Sequence, residues 1–185
     1  MMRILAPLAV LLLLAGSASA LDPLTSPYRH QADTSLRGLD EHEISELKAG
    51  AGMGLARAAE LNGYPGPRHV LDAVAARKLT ASREQIQRVQ QIFDRMKREA
   101  GRVGLQILDE EQRLEAAFRA GTITETDLRS QVARIAALHG ELRTIHLAAH
   151  LATRALLSDL QIARYNEIRG YTAAPTEQRD QQHKH

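Results

Sequence analysis

Two histidines stand four residues apart in "IHLAAHLATR", at His146 and His150. On a helix they lie about 6 Å apart along the axis and about 40° apart in rotation, close enough to hold one ion between them. Zinc normally takes four ligands, and copper or nickel four to six, so this pair leaves a site unfinished. If the chain folds back on itself near residue 122, the histidines face the stretch from Asp94 to Arg98. Asp94 is then the candidate third ligand and Glu99 a weaker one. His42, His69, His30, His183 and His185 could add donors from other segments or from a partner subunit. His139 is about 10 Å from His146 along the axis and cannot share its ion. Arg143, one turn from His146, opposes a cation. The competing reading places both histidines on a flank that borders the apolar face, packed against a neighbouring helix or facing water. Spacing alone leaves the two open.

Other reactive chemistry is scarce. The chain has Cys 0, so it carries neither a thiol nucleophile nor a disulfide, and any metal must bind nitrogen and oxygen. It contains no HExxH and no glycine-rich phosphate loop. Glu110-Glu111 and the Glu41/Glu43 pair read as surface charge, because neighbours on a helix point to different faces. These absences point away from an enzyme. Lys+Arg 24 against Asp+Glu 22 leaves a net charge of +2, with the signs interspersed, and aromatics make up 3%. Nucleic-acid binding needs a concentrated cationic surface and usually stacking rings, so that partner class is excluded.

The elements that must position these residues are helical. Residues 1–20 read as an export signal: Met1-Met2-Arg3, an apolar run from Leu5 to Ala15, and Ala18-Ser19-Ala20 before the cut. The expected location is the periplasm, with cleavage after Ala20 and no membrane span afterwards. Residues 21–39 read as a flexible arm, and 40–63 as one or two short helices stopped at Asn62-Gly63. A hairpin domain is expected over 64–171 and a disordered tail over 172–185. Pro67 can open a helix after "YPGP". From Ile86 to Phe118, and again from Leu128 to Leu156, apolar residues recur at three- and four-residue spacing. The first run spans about ten turns. The link around "AGTIT" is short, so the two long helices must lie antiparallel. Gly101 and Gly104 mark an expected bend. A last helix runs from Asp159 to Arg169 and stops at Gly170. The fold class is all-α: a long antiparallel hairpin with shorter flanking helices.

Three helix starts share one pattern, an apolar residue followed by a hydroxyl: Leu79-Thr80, Ile123-Thr124 and Leu157-Ser158. The hydroxyl can accept from an unpaired first-turn amide. At the third start Gln161 can reach back and Leu157 can staple to Ile162. At the first, Arg83 occupies the reaching-back position, and the alternative box is Ser82-Arg83-Glu84-Gln85.

A Leu-Thr pair opening the first long helix, with Leu157-Ser158-Asp159-Leu160-Gln161 near the C-terminus of an exported, cysteine-free helical chain, resembles the Spy/CpxP family of LTxxQ-motif periplasmic stress proteins and their heavy-metal-sensor and metal-resistance relatives. The likeness spans roughly residues 64–171. It implies a homodimer that captures unfolded or stress-related polypeptides without ATP, or restrains a membrane sensor protein. The alternative it implies is a periplasmic heavy-metal sensor or resistance protein, here using His146 and His150 with zinc, copper, nickel or cobalt as the ion. A slender hairpin buries little of its own apolar surface, which independently calls for a partner.

Overall fold

The computed structural model describes residues 25–26, 28–29 and 36–171. The export signal, most of the arm, the tail, and with them His30, His183 and His185, lie outside the described residues. Leu36 to Tyr171 belong to one compact unit, and the described residues near Tyr28 to another. Every regular element among the described residues is helical: α1 Glu41–Ala49, α2 Arg57–Glu60, α3 Pro67–Ala75, α4 Arg83–Ala120, α5 Glu125–Arg154 and α6 Asp159–Arg169. None is long and apolar enough to cross a membrane.

Local chemistry sets these boundaries. Asp40 caps α1 by accepting from the Glu43 amide while the Glu43 carboxylate accepts from the Asp40 amide. Gly50, Gly121 and Gly170 end α1, α4 and α6 with positive φ, where a side chain would be strained. Pro67 opens α3 as its first residue. α4 and α5 form the antiparallel hairpin. Glu110 meets Arg134 near the turn, Arg102 meets Glu141 midway, and the Gln85 amide reaches the Leu156 carbonyl at the base.

Two apolar clusters fix the short helices to this hairpin. In one, Leu36 and Leu47 pack on Ala100, Val103, Ile107, Leu108 and Leu142. In the other, Val70, Ala73 and Leu79 pack with Val89, Leu157, Ile162 and Tyr165. α4 runs as one helix through Gly101 and Gly104, and both lie where α1 crosses it closely. A β-carbon on Gly104 would stand 2.1 Å from the Leu47 carbonyl oxygen, and one on Gly50 would stand 2.7 Å from the Gly101 nitrogen. The C-terminal end of α1 therefore rests directly on the α4 backbone.

Beyond these clusters the hairpin is bare. Glu110 is the last buried residue of α4 and Ile135 the first of α5, so positions 111–134 form a two-helix finger without a core. Phe118 and Val132 lie there 56% and 48% exposed.

Candidate functional site

The histidines do not face water. His146 is 3% exposed and His150 9%, because the link from α1 to α2 and the start of α3 cover their side of α5. The flank expected to border the apolar face lies in the interior. His150 Nδ1 lies 2.7 Å from the Tyr64 carbonyl oxygen. A carbonyl only accepts, so Nδ1 carries the hydrogen and Nε2 of the neutral ring is a bare lone pair. His146 Nε2 is buried with no hydrogen-bond partner. Burial pushes the His146 pKa below its usual value, the neighbouring His150 adds to that, and hydrogen bonding with the Ala51 backbone opposes it.

Beside them sits a buried carboxylate. Glu60, 8% exposed, closes the short α2. Its Oε1 accepts from the Tyr165 hydroxyl at 2.5 Å, the Tyr171 hydroxyl at 3.1 Å and Arg169 Nε at 3.2 Å. Its Oε2 accepts from the Gly66 amide at 3.1 Å and lies 3.6 Å from His150 Nδ1. A lone buried carboxylate would be costly, and this one is held by neutral and charged donors together. Burial, followed by the bond to Glu60, raises the Tyr165 pKa, so its hydroxyl keeps its proton and donates. One side chain thus joins α2, α3, α5, α6 and the residue after α6.

Between this hub and α4 lies a cavity of about 300 Å³. His146, His150 and Gly66 line it from the buried side, and the exposed residues Arg68, His69 and Lys97 line it from the solvent side. Gly66 leaves it open, since a β-carbon there would stand 3.0 Å from the His150 ring. Its electrostatics run against a divalent cation: two permanent cations stand in its wall, and the nearby carboxylate is already engaged.

The other expected ligands fall elsewhere. Asp94 accepts from Gln90 at 2.8 Å and does not line the cavity. Glu99 lies on a different surface groove, and His42 is exposed, 3.8 Å from Glu46. Among the described residues no three His, Asp or Glu side chains are grouped so as to hold one metal ion.

The capping residues come together in part. Ser158 accepts from the Gln161 amide, and Gln161 Oε1 accepts in return from the Ser158 amide, as the spacing predicts. Leu157 and Ile162 are buried in one cluster. Thr124 accepts from the Asp127 amide, and its hydroxyl bonds the Asp127 carboxylate instead of completing a box. Thr80 does not cap: Ser82 does, with Gln85 completing the alternative box. Leu79 remains buried, and the Thr80 carbonyl accepts from Gln161. The two glutamines also bond each other at 3.0 Å, tying the start of α6 to the start of α4. Ile123 is half-buried at the hairpin turn.

Sequence reasoning missed Glu60, Gly66, Tyr165, Arg169 and Tyr171. Glu60 stands in "RAAELNG", where nothing marks it as buried, and its side-chain donors Tyr165, Arg169 and Tyr171 lie more than a hundred positions away in the chain. The fold and site together define an all-helical protein built on one long hairpin with a buried polar hub at its base. No known protein family, curated protein or solved structure matches the chain.

Proposed function

We propose that this protein is a periplasmic, ATP-independent, chaperone-like binding protein of the Spy/CpxP type, acting as a homodimer on unfolded or stress-related polypeptides. The observation that carries the reading is a shallow groove on the hairpin surface, walled by α4 and α5 alone. Ile92, Met96, Ile145 and Ala148 line one stretch, and Ile92, Ala152, Ala155 and Leu156 the next. Arg88, Arg95, Glu99 and Glu141 flank it with both signs of charge. An open floor of aliphatic side chains, Met96 and alanines between mixed charges suits weak contact with many extended sequences, since deep pockets that select one side chain are missing from it.

The test is light scattering of an aggregating unfolded client without nucleotide. Equimolar protein should suppress aggregation. The variant Ala148→Glu/Ala155→Glu, which places charge on two exposed groove positions, should lose most of that effect while unfolding at the same temperature. No suppression at large excess, or full suppression by the variant, would end the reading.

A further inference from the structure

We infer that the cavity at the start of α3 binds a small oxyanion of about the size of inorganic phosphate. The inference goes beyond polypeptide capture and does not depend on it. α3 has nine residues, and its N-cap is Gly66, which has no side chain to bond the first-turn amides. Pro67 has no amide hydrogen, which leaves those of Arg68 and His69 at the positive end of the helix without an intrahelical acceptor. Such an end attracts anions. A second observation points to a ligand: His146, 3% exposed, lines the same cavity with its Nε2 unpartnered. A buried polar atom left without a partner is costly, and a ligand that bonds it would remove that cost.

The wall completes the chemistry. Arg68 and Lys97 both stand over the Phe93 ring, 5.8 and 6.0 Å from its centre, at the side of the cavity open to solvent. Lys97 forms no ion pair among the described residues, and Arg68 shares its charge with Asp72. The carboxylates near the imidazoles are Glu60 and Asp72. Glu60 is saturated by Tyr165, Tyr171, Arg169 and the Gly66 amide, and Asp72 is held by Arg68. Arg169, His69 and His150 add positive or protonatable groups around the site. A tetrahedral or carboxylate oxyanion would accept from the two α3 amides and Lys97, and from His146 when its Nε2 carries a hydrogen.

Protonation gives the site a signature. A protonated His146 favours a bound anion, so an anion whose own charge stays fixed binds with proton uptake and gains affinity as pH falls, by up to about tenfold per pH unit for each proton taken up. A metal needs the lone pairs and weakens in acid. The experiment titrates inorganic phosphate, and acetate separately, into the full chain at constant ionic strength, at pH 5.5 and 7.5, following histidine ring signals by NMR. Saturable phosphate binding is expected with the His146 signals shifting, and acetate, which keeps a single charge at both pH values, should bind more tightly at pH 5.5. Acetate binding on the same signals identifies a carboxylate-accepting site of the same chemistry. Lys97→Gln, at an exposed position that does not threaten the fold, should weaken binding about tenfold or more, and His146→Gln should reduce the pH dependence of acetate binding. His42→Gln should change nothing. Absence of saturation with both anions at both pH values overturns the inference, as does equal binding by Lys97→Gln. Zinc bound tightly through His146 and His150 in phosphate-free buffer, and released in acid, overturns it in favour of a metal site.

Discussion

Glu60 shows how much of this structure hangs on single polar atoms. Removing its carboxylate strands the buried Tyr165 hydroxyl and the Arg169 guanidinium together. Glu60→Ala should therefore cost about 3 kcal/mol or more in urea unfolding, and Tyr165→Phe about 1–2 kcal/mol. The histidines predict a pH dependence. His146 and His69 have lowered pKa values in the folded chain, burial being the main cause in each. The unfolded chain takes up protons first as pH falls below about 6.5, so stability is complete above that value and declines as pH drops toward the folded pKa. His146 contributes up to about 1.4 kcal/mol per pH unit in that window, while solvent screens the exposed His69. Urea midpoints at pH 7.5 and 5.5 check this, and His146→Gln should flatten the difference. The helical spacing of His146 and His150 was legible from sequence. Which way they point was not, because the residues that cover them, Ala51 and Gly66, lie in glycine-rich connections with no periodicity to read.

Helix ends and helix crossings were legible to different degrees. Starts and stops follow local rules, so Ser158, Gly121 and Gly170 are readable from a few neighbouring letters. The shift from Thr80 to Ser82 is local too: a box needs an acceptor at its fourth residue, and Gln85 supplies it where Arg83 cannot. That Gln85 and Gln161 then bond one another is a tertiary fact. Alanine at both should give a non-additive loss in a double-mutant cycle, with a coupling energy of about 1 kcal/mol. The paired glycines of α4 read as weak points in a helix, yet they are where α1 sits down. Gly104→Ala should cost about 3 kcal/mol, through overpacking against Leu47, and hydrogen exchange should show α1 losing protection before α5.

Across the whole molecule, protection should be uneven. Residues 111–134 lack a buried side chain, so their amides should exchange well before those of the region around Leu142 to Thr153. The two-helix layout was legible because its stripes are long and regular; the bare tip was not, since Phe118 and Val132 continue the same apolar spacing into a region that nothing covers. The polar hub has a further consequence for how the chain matures. Glu60 receives its partners from Tyr165, Arg169 and Tyr171, and α4 gains its second clasp from Gln161. A chain emerging N-terminus first thus carries an unanswered acid and an open seam until almost its last helix is out, and a ribosome halted before residue 158 holds a product that cannot shut.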